Sequence, residues 1–189
     1  MWRLFSYSLM IFLLLGQISC SEDAVPKPYG DVRLEYPAAE YAKFNTDCPF
    51  SFQYSSLAEK RPKDSICAYN LYYPNLKATI YLTYDNVEKK GLVNLIRDAE
   101  KAVYEMHTTK AEYIEPKLII RSKERVFGTL YELSGESAMN FQFHITDSVQ
   151  HFLRGSVYFR SHPKPDSLAP AIEYMRLDIE KLMESARWK

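Results

Sequence analysis

Between residues 139 and 146 the chain alternates without a break. Met139, Phe141, Phe143 and Ile145 fall on one side, and Asn140, Gln142, His144 and Thr146 on the other. A period of two over that length predicts a half-buried strand. In HFLRGSVYF (151–159) the same period turns Leu153, Gly155, Val157 and Phe159 toward a core. Phe152, Arg154, Ser156 and Tyr158 then point the other way. KLIIRS (117–122) and RVFGTLYELS (125–134) are joined to each other and to the next strand by the turn-like SKER and SGES. These four segments predict an antiparallel meander. VFGTLYEL is apolar on both faces, as a strand covered twice would be.

Further upstream, VRLEY (32–36) reads as a strand ended by Pro37. DCPFSFQYS (47–55) reads as another, with Phe50, Phe52 and Tyr54 on one face. SSLAEKRPKD reads as a solvated loop. CAYNLYYP and KATIYLTYD read as two strands about a turn at Pro74 and Asn75, with Ile80, Leu82 and Tyr84 sharing a face.

Two segments change to the helical period. In GLVNLIRDAEKAVYEMH, Leu92, Leu95, Ile96, Ala99, Ala102, Val103 and Met106 recur at three and four. In DSLAPAIEYMRLDIEKLMESARWK, Leu168, Ile172, Met175, Ile179, Leu182, Met183 and Ala186 do the same. Asp166 or Ser167 can cap that helix, and Pro170 is tolerable within its first turn. The order β–β–β–β–α–β–β–β–β–α predicts an α+β fold: an antiparallel β-sheet packed with two long α-helices in a single domain over residues 32–189.

The first twenty residues belong to a different class. MWRLFSYSLMIFLLLGQISC has a positive start at Arg3, an apolar run from Leu4 to Leu15, and small or polar residues before Cys20. The run is too short to span a bilayer and suits an export signal. GQISC resembles the lipobox of bacterial lipoproteins, although Gln17 stands where a Leu-like residue is usual. On this reading residues 1–19 are a lipoprotein signal peptide and Cys20 is the lipidated position, carrying palmitate-type acyl chains. SEDAVPKPYGD completes a tether over 20–31. An ordinary secretory peptide or an uncleaved anchor is the alternative.

Composition narrows the partners. The 189 residues suit one ordinary domain, and 24 basic side chains balance 24 acidic ones. No basic block exists to neutralise phosphates, so nucleic-acid binding is disfavoured. Fifteen Tyr and ten Phe fit a sheet-rich or interface-rich protein. In an exported chain the two remaining cysteines, Cys48 and Cys67, suggest a disulfide; a pair of buried free thiols is the other possibility.

Candidate chemistry is sparse. Asp147, Ser148 and His151 supply the groups of a hydrolytic site within five positions. Ser148 lacks a Gly-flanked elbow, and a catalytic triad draws its members from distant elements, so a capped turn is the better reading. His107, His144 and His162 show no metal-ligand spacing. Phosphate loops and dinucleotide glycine fingerprints are absent. No catalytic residue, metal or cofactor is therefore assigned. What remains is surface: Arg154 between the aromatics Phe152 and Tyr158, or the set Tyr69, Tyr72, Tyr73 and Tyr81, offers residue types that interfaces favour. The same residues packing beneath a helix is the alternative.

The ordered set DCPFSF (47–52), LSGESAMNFQFHITDS (133–148), HFLRGSVYF (151–159) and PDSLAP (165–170), with a terminal WK, resembles the gliding motility lipoprotein D (GldD) family. Near the start, PKPYGD keeps Pro26, Lys27, Pro28 and Gly30 of a family PKPRGY pattern. The resemblance covers essentially the whole mature chain, and Cys48 and Cys67 match family cysteines. It implies a periplasm-facing envelope lipoprotein of the gliding apparatus associated with type IX secretion. Its expected partners are other gliding lipoproteins and membrane proteins, GldE especially. It implies no catalytic residue. Two other functions stay open from the residues: a periplasmic carrier for a lipid or other hydrophobic ligand, and a hydrolase using Asp147, Ser148 and His151.

Overall fold

A computed structural model describes residues 36–107, 111–135, 141–160 and 165–189. The chain divides into two units, residues 1–31 and 32–189, and every described residue lies in the second. The signal segment 1–19, Cys20, the tether 20–31, Met139, Asn140 and His162 lie outside the described residues, as does the strand expected over 32–36 apart from Tyr36, which is not in a strand.

Ten strands are described: β1 (Tyr41–Phe44), β2 (Phe50–Ser55), β3 (Glu59–Pro62), β4 (Ala68–Tyr73), β5 (Ala78–Asn86), β6 (Ala111–Arg121), β7 (Val126–Gly135), β8 (Phe141–Thr146), β9 (His151–Phe159) and β10 (Arg187–Trp188). Three helices accompany them, two of them long: the single-turn α1 (Val87–Lys90), α2 (Leu92–His107) and α3 (Pro165–Ser185). The fold is α+β, as expected. The expected single sheet is instead two. Strands β1-β2-β10 form a small sheet, and seven strands in the order β3-β4-β5-β9-β8-β7-β6 form a large one. Every neighbouring pair is antiparallel.

The large sheet joins two runs of consecutive strands. β3, β4 and β5 are linked by short turns, and β6 to β9 make the meander that the sequence predicts. The meander closes on β5 through a nine-position ladder from Ala78 opposite Phe159 to Asn86 opposite His151. The connection between the two runs is helical. Asn86 caps α1 by accepting the Lys89 N–H, and Gly91, at φ 80°, breaks the chain into α2.

Each face of the large sheet has its own cover. On one, Leu71, Ile80, Leu82, Phe141, Phe143, Ile145, Leu153 and Val157 meet Phe44, Phe50 and Phe52 of the small sheet and Met175, Ile179 and Met183 of α3. Fully burying a Phe or Met contributes about 1.5–3 kcal/mol, so this layer is the main source of stability. On the other face, Leu95, Ala99 and Val103 of α2 lie over Phe152, Tyr131 and Leu133.

That double cover corrects several expectations. β8 is buried along its whole length rather than half-buried, because α2 covers its polar side. The stretch expected as a loop contains the edge strand β3, all four of whose residues are exposed; short charged edges ending in Pro resist unwanted pairing. β1 is an additional strand, held by pairing with β2. Because α3 begins at Pro165, Pro170 sits beyond the first turn. Among the described residues no helix is long and apolar enough to cross a membrane.

Candidate functional site

The stretch from Thr146 to His151 is a tight connection from β8 into β9. The Asp147 carboxylate accepts the backbone N–H groups of His151, Gln150 and Val149 at 2.8, 2.9 and 3.0 Å. Burial alone would raise this carboxyl, but those three donors and the His151 imidazole hold it below the ordinary Asp value. Ser148 takes a left-handed φ of 69°, and its N–H is accepted by the Thr146 hydroxyl. The His151 ring makes its own contacts: Nδ1 meets the Tyr84 hydroxyl at 2.9 Å, and the ring stacks on Trp188 at 5.1 Å. Trp188 in turn donates its indole N–H to the Arg125 carbonyl. Asp147, Ser148 and His151 thus serve the backbone and the aromatic packing of a turn. Their geometry is not that of a charge relay.

β9 divides as its period predicts, with one correction. Leu153, Val157 and Phe159 enter the main core. Phe152, expected as an exposed aromatic beside Arg154, is 0% exposed and packs under α2 with Val87, Leu95 and Ala99. It contributes no surface. Tyr158 is 40% exposed, and Arg154 is half-buried.

Register explains what accompanies them. Residues paired across an antiparallel sheet share a face. One row runs Arg61, Asn70, Tyr81, Ser156, Gln142 and Tyr131, and the next runs Ala68, Thr83, Arg154 and His144. Tyr72, Thr79 and Tyr158 form a third row on the same face. The Arg61 guanidinium lies 4.0 Å from the centre of the Tyr72 ring, and Tyr81 is 38% exposed. The aromatic set proposed from sequence is therefore split. Tyr73 is buried and Tyr69 packs against the main core, whereas Tyr72 and Tyr81 join Tyr158, Arg61 and Arg154 on the α2 side.

Where this face runs beneath α2 it opens into a cleft of about 240 Å³. Tyr81, Thr83, Gln142, His144, Arg154 and Ser156 form its floor, and Ala99, Ala102, Val103 and Tyr131 its walls. Gln142 donates its amide to the Ala102 carbonyl at 3.2 Å, tying floor to helix. His144 is 5% exposed, and its ring stacks on Phe152 with centroids 5.4 Å apart. Burial lowers its pKa to about 4, so the imidazole is neutral near pH 7. Among the described residues its Nδ1 has no hydrogen-bond partner. Arg154 Nε stands 3.8 Å from Asp85 Oδ2, while the other oxygen of that buried carboxylate takes the Lys90 ammonium at 2.6 Å.

Elsewhere, Cys48 and Cys67 are joined by a disulfide with Cα atoms 5.6 Å apart. Among the described residues no cluster of three or more His, Cys, Asp or Glu side chains is placed to hold a metal ion.

The architecture is that of a two-sheet α+β protein whose distinctive features are a Tyr/Arg face and a small polar cleft. Residues 21–188 match the family model of the gliding motility lipoprotein GldD, and the chain belongs to that family. No curated protein matches it. Membership fits a component of the gliding machinery and a membrane-anchored place in the cell envelope, and GldD is not a known enzyme family.

Proposed function

We propose that this protein is a non-enzymatic assembly or stabilising component of the gliding motility and type IX secretion machinery, and that it docks a membrane partner of the GldE type through its Tyr/Arg face. The observation that carries this reading is the row structure of the sheet. Tyr72, Tyr81, Tyr158, Arg61 and Arg154 share one face. Tyr and Arg are the side chains that most often dominate binding energy, because each offers wide contact area and hydrogen bonds at once. Lipidation at Cys20 supplies the other half of the mechanism. Acyl chains and a tether over 20–31 hold the domain at a periplasm-facing membrane surface and raise its effective concentration toward a partner in that membrane.

The test is cross-linking in intact cells, detergent extraction and mass spectrometry of what stays attached. Wild type should retain one near-stoichiometric membrane protein. Combined Tyr81→Ser and Tyr158→Ser should cut recovery by about tenfold or more while leaving the melting temperature within a few degrees. Cys20→Ser should weaken capture without altering the face. Unchanged recovery and motility in a folded Tyr81→Ser/Tyr158→Ser protein would remove the face from the mechanism.

A further inference from the structure

We infer that the cleft between α2 and the large sheet is a binding site for a small monocarboxylate with an apolar body, its carboxylate held by Arg154 and its body lying against Ala99, Ala102, Val103 and Tyr131. This goes beyond partner docking and does not depend on it.

The floor converges because of register. Arg154 on β9 is directly opposite His144 on β8, and Ser156 is directly opposite Gln142 and Tyr81. Three strands' worth of polar side chains therefore meet on one face, beneath a helix whose facing residues are apolar. Such a division, a few polar groups at one place and hydrocarbon at the other, is what small-molecule sites present.

The charges select the ligand class. Arg154 is the cation among the lining residues, and among the described residues its only ion pair is the 3.8 Å approach to Asp85. Lys90 holds Asp85 Oδ1 and Arg154 Nε faces the unbonded Oδ2, so this approach takes the Nε side of the guanidinium and leaves its terminal Nη groups for a second acceptor. A single guanidinium matches a monoanion; the dianion of a phosphate would call for more positive charge than the lining holds. His144 supports the same choice. It lines the cleft, and its neutral imidazole carries one N–H that can donate to a carboxylate oxygen. Glu100 lies against Tyr131 at the wall and puts negative charge there. The anionic end is thereby directed toward β9.

The test is ligand-observed NMR on the full chain in detergent, with benzoate as probe, benzyl alcohol as its uncharged counterpart and inorganic phosphate as the competing anion. Benzoate should bind saturably, and benzyl alcohol and phosphate should bind more weakly by about tenfold. Arg154→Gln should lower benzoate affinity by a similar factor. Ala102→Phe, which fills the cleft and keeps every polar group, should abolish binding, so the assignment does not depend on Arg154→Gln folding. No binding at about 10 mM benzoate, equal binding of benzyl alcohol, displacement by phosphate at lower concentration, or undiminished binding to a folded Ala102→Phe protein would each overturn it.

Discussion

His144 shows how one side chain can set an acid limit on the fold. Burial against Phe152 and Tyr131 disfavours the imidazolium, so the folded pKa, about 4, lies below the unfolded value near 6.5. Between those two pH values the unfolded chain binds the extra proton. The contribution is thus fully present above pH 6.5 and is lost as pH falls toward 4. The full window corresponds to about 3 kcal/mol. Denaturant titrations at pH 7 and pH 4.5 should show this loss in wild type and a much smaller one in His144→Phe. An identical pH slope in the two proteins would mean that His144 titrates normally. Asp178 acts in the opposite sense. Burial raises its carboxyl despite hydrogen bonds from Tyr41, Tyr73 and Ser55, so its contribution is greatest below the ordinary Asp pKa and fades as pH rises through the raised one.

At the scale of elements, the strands of the meander approach one another too closely for ordinary side chains at two places. A Cβ on Gly128 would stand 2.0 Å from the His144 carbonyl oxygen, which is ladder backbone and cannot yield. One on Gly155 would meet the Phe143 ring at 2.3 Å, a side chain whose rotamer can shift. Gly128→Ala should therefore destabilise more than Gly155→Ala, the latter by about 1–3 kcal/mol as an overpacking change. Thermal unfolding of the two variants decides it, and equal losses would mean that β7 slides to relieve the clash.

The same strands show how much was legible in advance. The four-strand meander, both long helices and the division of β9 into two faces follow from the periods two and 3.6. Phe152 did not, because alternation assigns a residue to a face and leaves open whether that face meets water or a helix. The apolar stripe of α2 held the missing signal: Leu95, Ala99 and Val103 require an apolar surface to cover, and Phe152, Tyr131 and Leu133 provide it. β3 was illegible for a related reason. Its Glu59, Lys60, Arg61 and Pro62 lack strand preference and are held by the backbone of β4. The cleft left no sequence signature of its own, since its floor comes from strands distant in the chain and only register aligns them.

For the whole molecule, the disulfide matters more through where it stands than through its loop. Cys48 lies two residues before β2 of the small sheet and Cys67 immediately precedes β4 of the large one, so the bond pins the two sheets together beside Phe44 and Tyr69. Closing a loop with a sequence separation of 19 is worth about 3 kcal/mol by restricting the unfolded chain. Reduction with dithiothreitol, or the double variant Cys48→Ser/Cys67→Ser, should lower stability by that order and loosen β1 and β2 before the meander in hydrogen exchange. Uniform exchange across both sheets would show that the bond acts on the unfolded chain alone.

The ladder between β5 and β9 carries a consequence for a chain that emerges from one end. Tyr84 and His151, which hydrogen-bond across it, are 67 positions apart. As the polypeptide emerges, β5 therefore waits with an open nine-residue edge until the last strand of the meander arrives. That edge is rich in Ile, Leu and Tyr, the composition most prone to seize a stray strand from a neighbouring copy. Late completion of this kind makes fragments that stop short of β9 the forms most inclined to clump.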